Sequence, residues 1–387
     1  MSAAHHRTYD FAVVGAGVFG AWIAHFLRAS GASVALLDAY GPANSRASSG
    51  GESRIIRMGY GPDEIYTQWA MRALPLWKQL FADAGRPELF HETGVLWIAP
   101  KDDAYALAAA RALSKFSVEH EILSLDDLRS RYSHLSFDDD SWGILEMRSG
   151  ILMARRAVQT VVERACSAGV DYFPEAVLPP SPRGRVTGLS TVSGGRISAG
   201  SFVFACGPWL GKIFPEILGN RVFPSRQEVF FFGPPAGSTA FHSPSTPTWL
   251  YLKDEFYGMP DVESRGFKLA HDRHGPAADP DTQPRTISPE ALAFAREFLA
   301  RRFPALRDAP LVESRVCQYE NTSNGDFLVD HHLDHENVWF AGGGSGHGFK
   351  HGPSMGEYVA GILTRGGEIE PRFRLASKDI VQRRAIL

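Results

Sequence analysis

A glycine-rich turn between an apolar strand and a helix, within residues 10–38, constrains the fold more than any other segment. Residues 11–14 form an apolar run long enough for a buried strand, and a helical pattern follows the turn. A second apolar run, residues 33–37, ends at Asp38. The turn has the spacing G-x-G-x-x-G, formed by Gly15, Gly17 and Gly20. The stretch therefore predicts a strand–helix–strand unit with an acidic residue at its tip.

Each part of this unit suits the binding of a dinucleotide. The first glycine permits a tight turn, the second lets the backbone approach a pyrophosphate, and the third packs the helix on the strand. The phosphates would lie at the helix N-terminus, and Asp38 would accept a hydrogen bond from a ribose hydroxyl. The stretch alone leaves NAD and FAD open, with a ligand-free glycine turn as the alternative.

Length and charge limit the remaining possibilities. The 387 residues suffice for roughly two to three domains. A hydrophobic content of 44% and a charged content of 21% are typical of a globular protein with a substantial core. The formal net charge of −3 is too small to indicate nucleic acid or an anionic membrane as a partner. No apolar run approaches the roughly 20 residues of a membrane-spanning helix, so we expect neither partner.

The cysteines predict a reducing compartment. Cys166, Cys206 and Cys317 have neither the number of a disulfide framework nor the spacing of metal ligands. The first ten residues lack the apolar segment of a secretory signal. We therefore expect a cytoplasmic protein.

The fold class predicted is α/β, with a Rossmann-like domain that is discontinuous in sequence. From about Val222, strand-like runs alternate with proline-rich loops, which indicates an inserted substrate domain built on an antiparallel sheet. The C-terminal third returns to an α/β pattern. The cofactor-binding domain is expected to comprise residues 1–88, 145–220 and 312–387. The substrate-binding domain is expected to comprise residues 89–144 and 221–311.

A second glycine-rich loop, residues 342–352, also lies between a predicted strand and a helix. Its glycines suggest close backbone approach to something flat or bulky, although a mobile loop is the alternative. Lys350 precedes the helix N-terminus, and a cation beside a helix dipole stabilises negative charge. A reduced flavin needs that stabilisation and nicotinamide does not, so this loop favours FAD.

Several single residues have two interpretations. Arg54 and Arg57 in the segment RIIR either end a solvated element or face an anionic ligand, which guanidinium suits. Lys268 lies on the strand face opposite its apolar neighbours, which by alternation predicts a solvent-facing lysine. Cys317 by itself is typical of a small buried apolar residue. The cluster of His and Asp residues at 330–335 lies in a turn without a further ligand, so we predict no metal site.

Seven segments together carry a family pattern: VVGAGVFG at 13–20, RIIR at 54–57, TGVLWIAP at 93–100, GFKLA at 266–270, DPDT at 279–282, RVCQY at 315–319 and SGHGFK at 345–350. With them the chain resembles the monomeric sarcosine oxidase and N-methyltryptophan oxidase family of FAD-dependent amine oxidases. The resemblance covers nearly the whole length, and the last two segments are its most specific pair.

This resemblance implies FAD as the cofactor, attached covalently. Cys317 matches the cysteine that forms a thioether to the flavin 8α-methyl group. The other positions implied to contact the cofactor are Gly15, Gly17, Val18, Phe19, Gly20, Asp38, Ala39, Arg54, Val177, Gly207, Gly346, His347, Gly348, Phe349 and Lys350.

The resemblance also implies a catalytic set. Arg57 and Lys350 match the pair that binds the substrate carboxylate, and Tyr257 and Tyr319 fall at positions lining the substrate cavity. Lys268 matches the lysine held near flavin N5 that promotes the reaction of reduced flavin with O2.

Two positions depart from the family pattern. Sarcosine oxidases have an active-site histidine four positions after the lysine, where this chain has Asp272, with His271 one place earlier. We include Asp272 in the predicted catalytic set. Glu320 follows Tyr319 in an expected pocket wall, where a smaller neutral group is the expectation. Both changes argue against sarcosine and favour a substrate with a second cationic group, or a larger amine.

The function implied is an FAD-dependent oxidase of a secondary amine or amino acid, N-methyl or cyclic. The C–N bond is oxidised to an imine that water hydrolyses, and O2 is reduced to H2O2. Two alternatives stay open: a dehydrogenase of the same fold using a quinone or protein acceptor, and a non-catalytic flavoprotein. We expect a monomer whose partners are the small-molecule substrate and O2.

Overall fold

A computed structural model describes residues 7–180 and 184–383. The first nine strands are β1 (Thr8–Val14), β2 (Val34–Leu37), β3 (Arg54–Ile56), β4 (Phe90–His91), β5 (Val95–Pro100), β6 (His120–Leu123), β7 (Ser141–Glu146), β8 (Gly150–Leu152) and β9 (Asp171–Phe173). The others are β10 (Leu189–Ser190), β11 (Arg196–Phe204), β12 (Phe223–Phe232), β13 (Thr248–Tyr251), β14 (Phe256–Met259), β15 (Phe267–His271), β16 (Leu311–Asn321), β17 (Leu328–His331) and β18 (Val338–Gly342). The helices are α1 (Val18–Ala29), α2 (Glu64–Asp83), α3 (Ala104–Lys115), α4 (Leu125–Arg131), α5 (Ala154–Ser167), α6 (Leu210–Ile213), α7 (Pro215–Leu218), α8 (Pro289–Arg302) and α9 (Gly352–Arg365).

The first sheet has the order β17-β18-β11-β1-β2-β9, and β10 pairs with β11. Its four central pairings are parallel, whereas β17 joins antiparallel. In β1, Val13 packs into one hydrophobic cluster and Ala12 and Val14 pack into another. Burial of both faces explains the continuous apolar run, as is usual for parallel strands. The predicted strand–helix–strand unit is confirmed.

Small residues let α1 and α9 pack closely against each other. A Cβ added at Gly356 would lie 2.6 Å from the backbone of Trp22, so a larger residue would push the helices apart. Because β1, β11 and β18 run parallel, their carboxyl ends lie at the same edge of the sheet. The loops that follow these strands, which include both glycine-rich loops, therefore meet at that edge.

The second sheet has the order β16-β12-β15-β14-β13-β5-β7-β6. Its pairings are antiparallel except that β5 and β13 are parallel, so the predicted antiparallel sheet is confirmed apart from that one pair. Trp249 on β13 stacks on Phe267 and on Phe298 of α8, each at 5.7 Å between ring centroids. Ser288 caps α8 by accepting a hydrogen bond from Ala291 N.

A third, small sheet, β3-β8-β4, connects the two larger ones. It carries Arg54 at the start of β3, while the long strand β16 carries Cys317 and Tyr319 from the second sheet. The end of β16 contacts the second glycine-rich loop, where Ser345 N donates to Glu320 O at 2.8 Å. Within residues 7–180 and 184–383, no helix is long and apolar enough to cross a membrane.

Candidate active site

A cavity of about 310 Å³ lies at the carboxyl edge of the first sheet. Its walls come from the turn after β1, the end of β2, the loop after β11 and the glycine-rich loop after β18. The predicted cofactor contacts that line it are Gly15, Gly17, Val18, Phe19, Asp38, Ala39, Arg54, Val177, Gly207, Gly346, Gly348 and Phe349. Residues far apart in the sequence thus form one continuous surface.

Two further positions predicted to contact the cofactor lie behind that wall. Gly20 packs against Gly15, whose carbonyl oxygen a Cβ at Gly20 would overlap. The His347 ring stacks on Phe327 at 5.0 Å, and its Nε2 lies 2.9 Å from Gly325 O. Both residues support the loops around the cavity.

Asp38 ties the end of β2 to the first glycine-rich turn. One carboxylate oxygen accepts a hydrogen bond from Ala16 N at 2.8 Å, and the other accepts from Tyr40 N and Gly41 N at 2.8 and 2.9 Å. Burial raises the pKa of Asp38, while these N–H groups oppose the rise. Oδ2, which among the described residues accepts only from Ala16 N, has a second lone pair, so Asp38 can still accept a hydrogen bond from a hydroxyl in the cavity.

Arg54 separates this cavity from a second one of about 420 Å³ and lines both. Its Nη2 lies 2.7 Å from Ser48 O and 3.5 Å from Cys317 Sγ. Cys317 is half-buried, and with Lys268 it lines the second cavity. The covalent attachment point implied for the cofactor and the implied oxygen-reactive lysine therefore share a chamber.

Lys268 is only 3% exposed, so the interpretation as a solvent-facing lysine is wrong. The face of β15 that carries it is covered by the loop before β3, where Nζ donates to Ser53 O at 2.8 Å and to Ser53 Oγ at 3.1 Å. Burial lowers the pKa of Lys268 well below its ordinary value, and the charge of Arg54 lowers it further.

A second cluster of buried charges surrounds Tyr60. The guanidinium of Arg57 lies 4.7 Å from the Tyr60 ring centroid, and Lys350 Nζ donates to Tyr60 Oη at 2.7 Å. His351 Nε2 lies 2.8 Å from the same hydroxyl. Burial lowers the pKa of Lys350 well below its ordinary value, and the positive charge of Arg57 lowers it further. The two cations predicted to bind a carboxylate thus lie together.

Two tyrosines and an aspartate extend this cluster. Tyr257 and Tyr319 are hydrogen-bonded through their hydroxyls, and burial raises the pKa of Tyr257 to about 12. Asp272, directly after β15, is close enough for its charge to raise the pKa values of Arg57 and Lys350. The predicted catalytic residues therefore form two neighbouring groups, with Lys268 in one and these residues in the other.

The model of the family DAO, FAD dependent oxidoreductase, matches residues 10–362. The chain belongs to this family. Monomeric sarcosine oxidase of Bacillus sp. (strain NS-129) is 30% identical over 367 residues, which is 92% of this chain and 93% of that protein. N-methyl-L-tryptophan oxidase of Salmonella arizonae is 28% identical over 360 residues, covering 91% and 94%. The resemblance inferred from the sequence is confirmed.

A solved structure of fructosamine oxidase from Aspergillus fumigatus (Amadoriase II) has the same fold. It superposes with a TM-score of 0.81 at 21% identity, covering 96% of this chain and 90% of that one. Because the sequence identity is only 21%, this similarity shows that the two proteins share a fold and shows nothing more.

The first cavity fits FAD. A Cβ on Gly346 would lie 2.8 Å from the Tyr319 ring, and a Cβ on Gly348 would lie 2.9 Å from the Phe19 ring, so only glycine fits there and the loop backbone itself lines the cavity. The N-terminus of α1 faces the cavity, and its dipole favours a bound phosphate. The glycine turns and Asp38 would hold the adenosine diphosphate half, and Arg54 and Cys317 lie where the cradle continues toward the second cavity.

Glu146 is a residue of this site that sequence reasoning missed. It is fully buried and accepts four hydrogen bonds: from Met58 N, Gly59 N, Trp97 Nε1 and Ser149 Oγ, at 2.6, 3.0, 2.9 and 2.5 Å. It thereby fixes the backbone that follows Arg57. The available signal was a lone acidic residue at the end of an otherwise apolar strand.

Glu320 and the turn at residues 330–335 were also interpreted from the sequence. Glu320, expected in the substrate pocket, lines the wall of the first cavity. Within the described ranges, no group of three or more His, Cys, Asp or Glu side chains is arranged to hold a metal ion. In the turn at 330–335, Asp330 instead accepts a hydrogen bond from Leu375 N at 2.8 Å.

Proposed function

We propose that this FAD-dependent oxidoreductase is an oxidase of an amino acid that carries a secondary amine, N-methyl or cyclic. The observation that carries the proposal is the buried cluster of Arg57, Tyr60 and Lys350 beside the cavity that fits FAD. Two buried cations that lie together form a site for a carboxylate. The curated relatives, named for oxidation of sarcosine and N-methyltryptophan, support the substrate class.

In this proposal the chain's residues orient the substrate and exclude water. Arg57 and Lys350 hold the carboxylate, which fixes the carbon next to the amine in one position. Tyr257 and Tyr319 close the site, and burial keeps both hydroxyls neutral near pH 7. FAD, when bound, supplies the two-electron redox chemistry.

The balance of charge points to a substrate other than sarcosine. Two carboxylates, Glu146 and Asp272, already act on the cations Arg57 and Lys350. A substrate that adds a carboxylate therefore binds better if it also brings a further cationic or polar group for Asp272 to contact. We propose an N-methyl or cyclic amino acid larger than sarcosine, with such a group on its side chain.

The attachment of the cofactor and its reaction with O2 are assigned to the second cavity. We propose that Cys317 forms a thioether to FAD and that Lys268 promotes reoxidation by O2. The support is their common chamber behind Arg54 and the burial of Lys268, since a buried cation stabilises negative charge strongly.

The division of the chain also remains our proposal. Residues 1–88, 145–220 and 312–387 would form the FAD-binding domain, and residues 89–144 and 221–311 would form the substrate-binding domain. Strand β16 belongs to the first set and pairs with β12 of the second. We further propose a cytoplasmic monomer. The three free cysteines and the name of the monomeric relative support this.

The test is anaerobic reduction of the purified holoenzyme by a panel of N-methyl, cyclic and primary amino acids. Each would be paired with an analogue that has an ammonium group on its side chain. We expect bleaching of the flavin by secondary amino acids, a lower KM for the cationic analogues, and H2O2 on admission of air. Arg57→Met should raise KM roughly a hundredfold, whereas Arg72→Met, which removes an exposed ion pair with Glu357, should not. Bleaching without H2O2 would instead indicate a dehydrogenase, and no bleaching by any amine would refute the proposal.

A further inference from the structure

Glu320 is a buried acidic residue in the wall of the FAD cavity that the proposed reaction does not use. It lies on β16 and is 6% exposed. Its Oε1 is buried and has no hydrogen-bond partner among the described residues. The backbone of Gly342 closes one side, where a Cβ would overlap Oε1. A buried carboxylate oxygen without a partner is costly, which disfavours the ionised form of Glu320. The other oxygen, Oε2, lies 3.9 Å from the Cβ position of Gly207, which lines the cavity, so a ligand in the cavity can contact it.

Two backbone groups and burial set the protonation of Glu320. Burial raises the pKa of Glu320 to about 7, and hydrogen bonds from the N–H groups of Gly343 and Gly344 oppose the rise. A bound FAD would exclude the remaining water from the cavity and add the negative charge of its phosphates. Both changes favour the neutral carboxylic acid over the carboxylate.

The titratable groups around Glu320 leave it without a cationic partner of its own. Burial raises the pKa values of Cys206 and Tyr319, so both are neutral near pH 7. His347, in the adjacent loop, places its Nε2 near Gly325 O. The other charged side chains that line the cavity are Asp38, Arg54, Glu175 and Asp281.

We propose that Glu320 is a cofactor-binding residue whose protonated carboxyl group donates a hydrogen bond to an acceptor oxygen of FAD. The ribityl hydroxyls and the pyrophosphate are the acceptors of this chemistry. The ionised form of Glu320 has no proton to donate and would repel the phosphates. Loss of the proton therefore weakens FAD binding, and binding becomes weaker as the pH rises through about 7. The inference rests on FAD binding and is independent of which amine is oxidised.

The experiment uses the full chain with Cys317→Ala, because a covalent link would hide the binding equilibrium. Apoprotein would be titrated with FAD by flavin fluorescence at about pH 6 and about pH 8, on either side of the expected transition. Glu320→Ala should weaken binding at the lower pH roughly twofold to tenfold, as expected for one lost hydrogen bond. Glu320→Gln keeps a donor without the acid, so it should bind within about threefold of its parent at the lower pH and lose the pH dependence.

Glu228→Gln is the matched control, because Glu228 lies on neighbouring β12 and bonds to Arg226 and Ser288 outside the cavity. It should keep the parent's pH dependence. In the holoprotein with Cys317 intact, the infrared C=O band of a protonated carboxylic acid should be present and should disappear in Glu320→Gln. An unchanged infrared band, an affinity for FAD that is independent of pH in the parent, or equal binding by Glu320→Ala would overturn the proposal.

Discussion

Replacing Glu146 with glutamine changes a buried residue of the site that accepts four hydrogen bonds. In the better orientation the amide nitrogen takes the place of Oε2, because the Ser149 hydroxyl can rotate and accept from it. Oε1 then keeps its bonds from Gly59 N and Trp97 Nε1, while Met58 N faces a donor and loses its partner. One lost charge-assisted bond and one buried N–H without a partner together predict a loss of about 3 kcal/mol in the free energy of unfolding.

The assay is urea unfolding followed by tryptophan fluorescence, with wild type and variants at the same FAD content. Glu121→Gln is the matched control, since Glu121 lies on adjacent β6 but pairs with Arg131 at the surface. We expect a far smaller effect from it, because exposed ion pairs contribute little. Glu146→Gln should also raise KM, because Arg57 loses its fixed backbone. If the two variants unfold at the same urea concentration, the role assigned to Glu146 is refuted.

Three further predictions concern the cofactor and the cations. Cys317→Ala should release all flavin into the supernatant on acid precipitation, whereas wild type should give a yellow pellet; a yellow pellet from the variant would contradict the thioether. Lys268→Met should slow anaerobically reduced enzyme in its reaction with O2 by roughly two orders of magnitude, while reduction by substrate is unchanged. The positive charge of Lys350 is present below its lowered pKa and lost above it, so carboxylate affinity should fall as the pH rises through that value. Asp272 raises this pKa, so Asp272→Asn should move the fall to lower pH, and an unmoved KM profile would exclude the coupling.

The parts of the fold that follow from local spacing were predictable. The turn at Gly15 needs a backbone conformation with φ of +103°, which glycine adopts readily. A glycine at this position in the sequence therefore indicates the turn. The apolar runs of β1 and β2 and the cap of α8 are similarly local. A family resemblance then supplied the residue roles that spacing leaves open.

What covers a residue is not a local property, and for this reason the prediction of a solvent-facing Lys268 was wrong. Alternation along β15 correctly places Lys268 on the face opposite Phe267, but that face is covered by Ser53, 215 positions earlier in the chain. The contact between Tyr60 and Lys350 spans 290 positions. Such contacts come from the packing of the three sheets, which no periodicity encodes.

Strand alternation also explains why Glu320 lies in the wall of the first cavity and not in the substrate pocket, where it was expected. Tyr319 and Glu320 are neighbours in sequence, but successive side chains of a strand point to opposite faces. Tyr319 shares its face with Cys317, toward Arg54 and Tyr257. The carboxyl group of Glu320 lies on the other face, against Gly342. This strand thus carries residues assigned to the cofactor on both faces, Cys317 beside Tyr319 on one face and Glu320 on the other. If Glu320 binds FAD as proposed, we expect a change at position 320 to alter the affinity for FAD and to leave the KM for the amine substrate unchanged.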